Sequence, residues 1–251
     1  MIKQEAEIKI MKIAGRIAAK VMQSLSVAAE EGITLAELDY LASELIKKAG
    51  AKAAFLGYRP AGAEKPYPAT ICASLNEVVV HGVPNKRRLQ SGDILKIDLG
   101  VKYEGYYSDT AVTFAIGSIS KCALELIEIT REALSKAISL AKPGATLGDL
   151  GHAIKATAER AKFKVVKGLT GHGIGKNLHE DPEVFNEGVR GRGLKLKAGM
   201  TLAIEPMFSA GSERVKKLAD DSYATVDGSI SAHFEHTIAI TDKGAEVLTV
   251  L

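Results

Sequence analysis

The feature that most constrains the fold is an internal duplication. Three segments recur in the same order in both halves of the chain: TLAEL at 34–38 and TLGDL at 146–150, GDILKID at 92–98 and GMTLAIE at 199–205, and YYSDTAVTFAI at 106–116 and AHFEHTIAI at 232–240. The offset varies, from 107 residues between Asp98 and Glu205 to 126 between Asp109 and Glu235. A stacked repeat array would need a short fixed period, and chance similarity of amphipathic segments is the other alternative. We predict one domain, residues 1–251, with pseudo-symmetric halves at about 1–117 and 118–251.

Each half is predicted to run from two helices into paired strands. Apolar residues at helical spacing indicate a helix over 4–31, and Thr34 with Glu37 forms a capping box that opens a helix to about 48. The second half repeats this with a helix over 120–141 and a box of Thr146 and Asp149 that opens a helix to about 162. Alternation and turn signals predict strands at 70–80, 94–101, 106–116, near 165, at 200–205 and at 232–240.

Composition indicates an ordinary globular protein. Hydrophobic residues make up 46% of the chain and charged residues 25%. The net charge of +3 and a basic run of only three residues, at 86–88, argue against nucleic-acid binding as the main function. Cys72 and Cys122 lack CxxC spacing, which fits a reducing compartment. The N-terminus lacks a signal-peptide core, and no stretch approaches the ~20 apolar residues of a membrane span. We therefore expect a soluble cytoplasmic protein with no membrane or nucleic-acid partner.

The duplication places four acidic residues at matching positions. Asp98 and Glu205 come late in two apolar strands, and Asp109 and Glu235 lie inside their partner strands. If a two-fold axis relates the halves, the four carboxylates converge on it, which is very unfavourable without compensating charge. Two divalent cations would neutralise them, and a two-metal site can activate a water. A single acid at a strand end is more often a turn cap or a surface charge, so the argument depends on all four together.

The glycine-rich segment GLTGHGIGKNLHEDP, at 168–182, is predicted to be a loop instead of a helix or a strand, and it carries two of the six histidines of the chain. His172 would supply a neutral nitrogen ligand, and Gly171, Gly173 and Gly175 would let the backbone approach a metal closely. A phosphate-binding loop is the alternative, but the G-x-G-x-x-G spacing is not met. Carboxylates with one imidazole suit Mn, Fe(II), Co or Zn.

Seven motifs together resemble methionine aminopeptidases of type I along nearly the whole chain. They are HGVP at 81–84, KIDLG at 96–100, YSDT at 107–110, TGHGIG at 170–175, LHEDP at 178–182, AIEPM at 203–207 and FEHT at 234–237. The resemblance implies an α+β pita-bread fold, in which two pseudo-symmetric halves surround a central antiparallel sheet. It also implies removal of the N-terminal methionine from nascent proteins.

The same resemblance implies roles for individual residues. Two divalent cations (Co, Mn, Fe(II) or Zn) would be bound by Asp98, Asp109, His172, Glu205 and Glu235, with Asp109 and Glu235 bridging them. Glu205 would be the general base, His179 would donate to the scissile carbonyl oxygen, and His81 would contact the substrate backbone. The alternatives are a core histidine at position 81 and a capping histidine at position 179.

The substrate pocket is also predicted from the family. Positions that line the methionine pocket correspond to Phe55, Tyr58, Tyr67, Cys72 and Leu178, for which ordinary core packing is the alternative. The chain has no tryptophan, although one commonly closes this pocket in bacterial members, and Tyr223 is expected in its place. The loop 59–68 is longer than is usual in the family. A confined groove for the leaving peptide implies a small second residue in the substrate.

Several rival functions are disfavoured by motif positions. Aminopeptidase P, prolidase and creatinase-like hydrolases usually carry an additional N-terminal domain, whereas the first motif histidine here is His81. Type II methionine aminopeptidases carry a helical insertion near the C-terminal motifs that this chain lacks. A non-catalytic binding protein on the same fold would be expected to lose metal ligands, and all five are present. A monomer is expected. Ribosome contact is consistent with action on nascent chains, but no segment indicates it.

Overall fold

The computed structural model describes residues 2–59 and 65–250, so residues 60–64 of the loop at 59–68 lie outside the described residues. The described helices are α1 (Glu5–Ala28), α2 (Leu35–Lys48), α3 (Lys121–Leu140) and α4 (Leu147–Arg160). The described strands are β1 (Lys52–Ala53), β2 (Cys72–Leu75), β3 (Val78–Val80), β4 (Ile94–Tyr103), β5 (Tyr106–Ala115), β6 (Lys164–Val165), β7 (Gly171–Gly173), β8 (Glu180–Val184), β9 (Thr201–Ile204), β10 (Met207–Ser209), β11 (Val215–Lys217), β12 (Tyr223–Thr225), β13 (Ser231–His233), β14 (Glu235–Thr241) and β15 (Gly244–Val247).

A central antiparallel sheet spans both halves of the chain, and this confirms the predicted fold class. Its strand order is β1-β4-β5-β14-β9-β7-β8, with β2 also paired to β4 and β15 also paired to β14. The duplicated strand pairs β4–β5 and β9–β14 meet where β14 pairs with β5. The four segments that carry the predicted acids are therefore neighbours in the middle of one sheet.

The helices cover this sheet with one apolar face each. α1 lies against β4 and β5, and α3 packs on α4 and contacts the strands of the second half. Both predicted capping boxes are present: the Thr34 and Thr146 backbone N–H groups donate to Glu37 at 2.8 Å and Asp149 at 2.7 Å. Two large apolar clusters result, one beneath α1 and α2 and one beneath α3 and α4. No helix in the described part of the chain is long and apolar enough to cross a membrane.

The structure corrects three strand predictions. The predicted strand 232–240 is interrupted at Phe234, because its partner strand is interrupted at Pro206, which has no N–H to donate. The predicted strand 70–80 is divided by a turn at Asn76, whose φ of 49° lies in the left-handed region. The glycine-rich histidine segment was expected to be a loop, yet Gly171–Gly173 pairs with both β8 and β9.

Candidate metal centre

The strand register brings the predicted acids to one face of the sheet. Asp98 and Glu235 both lie opposite Ala111, on either side of β5. Asp109 lies two residues before Ala111 on the same strand, so its side chain shares this face. Glu205 directly follows β9, next to Ile204, which pairs with His236 of β14.

Three of the five predicted ligands meet most closely. Ligand atoms of Asp109, His172 and Glu235 all lie within 4.8 Å of one another, which is the spacing that one cation can bridge. Glu205 adjoins this group, since its Oε1 lies 3.7 Å from Nε2 of His172. The carboxyl groups of Asp98 and Asp109 are near enough to share a hydrogen bond when one of them is protonated. All five predicted ligands therefore surround one place.

Positive charge would stabilise the ionised carboxylates of this cluster. Burial raises the pKa of Asp98, Asp109, Glu205 and Glu235, and repulsion between the carboxylates raises it further for all but Asp109, where hydrogen bonds oppose burial. Oδ1 of Asp98 and Oε1 of Glu235 are buried and have no hydrogen-bond partner among the described residues. Buried polar atoms in native proteins almost always have partners. The unpaired oxygens, the repelling charges and the single imidazole match the donor set of hard or borderline divalent cations.

His172 presents a free nitrogen lone pair to this cluster. Its Nδ1 lies 2.8 Å from the carbonyl oxygen of Gly173, and since a carbonyl only accepts, Nδ1 carries the proton and Nε2 does not. Burial, followed by the influence of His179, lowers the pKa of His172 to about 3, so the ring is neutral at pH 7. A neutral imidazole with an unprotonated Nε2 is the form that binds metal.

Two of the three flanking glycines are required by close backbone contact. A Cβ at Gly171 or Gly173 would overlap the carbonyl oxygen of Ala203 or Asp181. At Gly175 a Cβ would meet no backbone atom but the ends of the ion-paired Lys3 and Glu180 side chains. The prediction that glycines permit a close approach therefore fits Gly171 and Gly173, but the approach is to neighbouring strands.

Two further histidines, His81 and His179, lie on the solvent side of this cluster. The His179 ring lies 4.4 Å from the His172 ring, centroid to centroid, and its Nδ1 lies 2.7 Å from the Tyr58 hydroxyl. His81 has a φ of 61°, and its ring packs edge-on against Tyr223 at 5.8 Å. Both imidazoles are solvent-exposed. The pKa of each is lowered because surrounding protein reduces hydration, and at His81 also because His179 is near.

The residues predicted for the methionine pocket lie in one apolar cluster. Its members include Phe55, Tyr58, Tyr67, Cys72 and Leu178. Cys72 pairs with Asp98 in the β2–β4 register, so the cluster adjoins the carboxylates directly. Phe55 packs so closely over Gly100 that no side chain would fit there.

The sequence reasoning missed two residues that contact Glu205 and one buried lysine on a neighbouring strand. Asn186 donates from Nδ2 to the carbonyl oxygen of Glu205 at 3.0 Å. Nε2 of His233 lies 3.3 Å from Oε2 of Glu205. Lys96 is 1% exposed and donates to the carbonyl oxygen of Asn76 at 2.7 Å. A signal existed for two of them, since Lys96 and His233 each lie two residues before a predicted ligand and so share its side of the strand.

The chain is similar to known metallopeptidases. A model of metallopeptidase family M24 matches residues 9–242. The chain is 46% identical to methionine aminopeptidase 1 of Bacillus subtilis over 98% of each chain. It matches the crystal structure of methionine aminopeptidase from Thermotoga maritima with a TM-score of 0.96 and 45% identity, over 100% of this chain and 99% of that one. The prolidase from Pyrococcus horikoshii matches with a TM-score of 0.76 and 29% identity, over 99% of this chain but 63% of that one.

Proposed function

The chain belongs to metallopeptidase family M24, and to the methionine aminopeptidases within it, and on that premise we propose that it removes the N-terminal methionine from nascent proteins. The observation that carries the proposal is the convergence of four carboxylates and one imidazole, with buried oxygens that find no partner in residues 2–59 and 65–250. We take residues 1–251 as the single catalytic domain that performs this reaction.

The residues that would hold two divalent cations are Asp98, Asp109, His172, Glu205 and Glu235, with Asp109 and Glu235 shared between the ions. Bound there, such a pair of Co, Mn, Fe(II) or Zn ions supplies charge neutralisation and lowers the pKa of a water to near neutrality. The central position of β5 and β14 supports the bridging assignment, because it places Asp109 and Glu235 between Asp98 on one side and Glu205 on the other.

Glu205 would act as the general base. It would take a proton from the attacking water and deliver it to the amine of the leaving peptide. One feature supports this role: Asn186 donates to the backbone carbonyl oxygen of Glu205, so the carboxylate starts from a defined place.

His179 would donate a hydrogen bond to the scissile carbonyl oxygen and to the negative charge that develops on it. This role needs a proton on Nε2. The Tyr58 phenol supports that tautomer, because its O–H can donate to Nδ1 at 2.7 Å. Burial, and secondarily Tyr107, raises the pKa of Tyr58, so the phenol keeps its proton.

His81 would contact the backbone of the substrate from the other side of the opening. Its left-handed backbone conformation is uncommon for a residue other than glycine and suggests a functional constraint. Tyr223 packs on the His81 ring and is suited to cover the pocket in place of a tryptophan.

The apolar cluster of Phe55, Tyr58, Tyr67, Cys72 and Leu178 would receive the methionine side chain. Its position beside Asp98 supports this, because the substrate amine must reach the metal centre while its side chain leaves water. We further propose that the leaving peptide lies in a confined groove and that the second residue must therefore be small. By this function the enzyme would be cytoplasmic and monomeric, and it would work near the ribosome.

The proposal is tested by peptide hydrolysis. The protein is stripped of metal, reloaded anaerobically with Mn²⁺, Fe²⁺ or Co²⁺, and given Met-Ala-Ser, Met-Lys-Ser and Ala-Pro-Ser in parallel. Metal-dependent release of methionine from Met-Ala-Ser alone is expected. Cleavage of Ala-Pro-Ser would instead indicate a proline-directed peptidase, and no cleavage with any metal would favour a binding protein.

A further inference from the structure

His233 touches the carboxylate of Glu205 from the side opposite His172. Its Nε2 lies 3.3 Å from Oε2 of Glu205, while Nε2 of His172 lies 3.7 Å from Oε1. The two oxygens of one carboxylate therefore each face an imidazole nitrogen. Oε1 faces the predicted metal ligand His172, whereas Oε2 faces His233. We therefore expect the two nitrogens to differ in whether they carry a proton.

The protonation of the two rings differs for a structural reason. His172 uses Nδ1–H to bind the Gly173 carbonyl, which leaves a lone pair on Nε2. Nε2 of His233 is buried and has no standard hydrogen-bond partner in the described part of the chain. When Glu205 is ionised, as a metal ligand must be, a lone pair on that nitrogen would repel Oε2 at 3.3 Å, whereas an N–H there would satisfy both atoms after a small rotation.

The surroundings hold the His233 ring in place. Its backbone N–H donates to Thr113 Oγ1 at 2.9 Å, and Thr113 Oγ1 donates to its carbonyl oxygen at 2.6 Å. Only 1% of the His233 side chain is exposed. Thr113 pairs with Lys96 on β4, so the ring belongs to a row of residues directly beside the row of Asp98, Ala111 and Glu235. A ring clamped in this way can fix the orientation of a neighbouring carboxylate.

We propose that His233 is a positioning residue, which donates Nε2–H to Oε2 of Glu205 and so turns Oε1 toward the metal-binding nitrogen of His172. This inference rests on the proposed function, since it deepens the role of Glu205. With Oε2 hydrogen-bonded to His233, only Oε1 of Glu205 would be free to bind a metal ion, and the carboxylate would keep one orientation. Asn186 fixes its backbone and His233 fixes its carboxylate.

The first test reads the tautomer in the unaltered protein. Zn²⁺-loaded protein labelled with ¹⁵N-histidine is examined by two-bond ¹H–¹⁵N correlation, and the His233 signal is assigned by its loss in His233→Gln. The inference predicts a neutral ring with the proton on Nε2 for His233 and on Nδ1 for His172. A proton on Nδ1 of His233 would overturn it, whatever the fate of the variants.

The second test compares two substitutions. His233→Leu removes the donor, while His233→Gln keeps an N–H of similar reach. For His233→Leu we expect Co²⁺ affinity, measured by calorimetry, to fall roughly 10- to 100-fold, with a changed visible Co²⁺ spectrum and a lower kcat at similar KM. His233→Gln should stay within about threefold of wild type, because its amide restores the bond. Equal losses in both variants, or unchanged Co²⁺ binding in His233→Leu, would refute the inference.

His236 offers a matched control on the opposite side of Glu235. It is also largely buried and contacts Thr249 through Nδ1 at 2.8 Å, away from the carboxylates. His236→Leu should change Co²⁺ affinity and spectrum by less than about twofold. The NMR, calorimetric and Co²⁺ spectroscopic measurements need no turnover. They therefore test the role of His233 even if the wild-type protein does not cleave Met-Ala-Ser and the proposed function is wrong.

Discussion

The hydroxyl oxygen of Tyr58 lies 2.7 Å from Nδ1 of His179, across 121 residues of sequence. The phenol can donate to Nδ1, and when it does so His179 carries its proton on Nε2. The free N–H then points away from Tyr58 and is available to a substrate. A tyrosine of the apolar cluster can therefore also support one tautomer of His179.

Replacement of His179 should lower activity without loss of metal. For His179→Ala we expect kcat/KM for Met-Ala-Ser to fall by about 10²- to 10³-fold, since a donor to the developing oxyanion is lost. Tyr58→Phe should cost about tenfold or less, because Nε2–H is then one of two tautomers instead of the selected one. Metal content and steady-state kinetics measure both effects. Tyr40→Phe, at an exposed position on α2, is the control, and loss of bound metal in His179→Ala would contradict the prediction.

Metal binding should release protons and strengthen with pH. The pKa of each of the four site carboxyl groups is raised, by burial first, so the metal-free protein keeps protons there that a bound cation must displace. Protons compete with the metal ion for these carboxyl groups, and because the pKa values are raised, this competition weakens only as the pH rises toward and above neutrality. Mn²⁺ affinity should therefore increase between about pH 5.5 and 8.

Calorimetric titration with Mn²⁺ at pH 7, in two buffers of different ionisation enthalpy, counts these protons. We expect about one or more per chain, and fewer for Asp98→Asn, which cannot carry a titrating proton. An affinity independent of pH, or no proton release, would show that the carboxyl groups are already ionised in the metal-free protein.

The glycines around His172 should differ in their tolerance of alanine. Gly173→Ala places a methyl group against the backbone carbonyl of Asp181, which cannot move without breaking the β7–β8 pairing. We expect a loss of about 3 kcal/mol in the free energy of unfolding, measured with urea at equal metal loading. Gly175→Ala meets the ends of the Lys3 and Glu180 side chains instead of backbone, and because side chains can shift more easily it should cost less, about 1 kcal/mol. Equal losses at the two positions would show that the clash is relieved by backbone movement.

Asp93 is predicted to be a pH-dependent stabilising residue remote from the metal cluster. It is 5% exposed and accepts from Arg87 at 2.7 and 3.0 Å, from Asn76 Nδ2 at 2.9 Å and from the Gln90 N–H at 2.9 Å. Burial alone would raise the pKa of Asp93, but these bonds outweigh it and lower the pKa to about 2. Asp93→Asn should therefore lower the free energy of unfolding by about 2 kcal/mol at pH 7.

The pH dependence of this effect has a definite sign. A depressed carboxyl pKa stabilises the fold fully above the unfolded pKa, near 4, and loses its effect as pH falls toward 2. The difference between wild type and Asp93→Asn in urea unfolding should shrink from pH 5 to pH 3. Asp221→Asn, which removes an exposed pair with Lys217, should change little. A constant difference for Asp93→Asn across this range would contradict the assignment.

Much of the fold could be predicted from local pattern. The capping boxes at Thr34 and Thr146 begin helices where expected, because a capping box depends on residues three positions apart. The identity of the candidate ligands was also predictable from the duplication and the motifs. Their roles, the two-metal count and the boundaries of the halves stay predictions.

The interruption at Phe234 could not be predicted from its own segment. AHFEHTIAI alternates as a single strand would, and its break arises in the paired strand, at Pro206. His233 lies beside Glu205 on one side of the break, and Glu235 continues into the central sheet on the other. Strand periodicity records which side a residue faces, but it carries no information about what happens to the neighbouring strand.

The sequence by itself determined the chemical inventory: which residues are acids, imidazoles and glycines, and which short segments form helices and strands. Tertiary structure alone decided which of these residues meet. The contacts of Tyr58 with His179, of His233 with Glu205 and of Lys96 with Asn76 join residues from 20 to 121 positions apart. Such contacts depend on strand register and on the packing of one element against another, which are fixed only when the whole chain folds cooperatively.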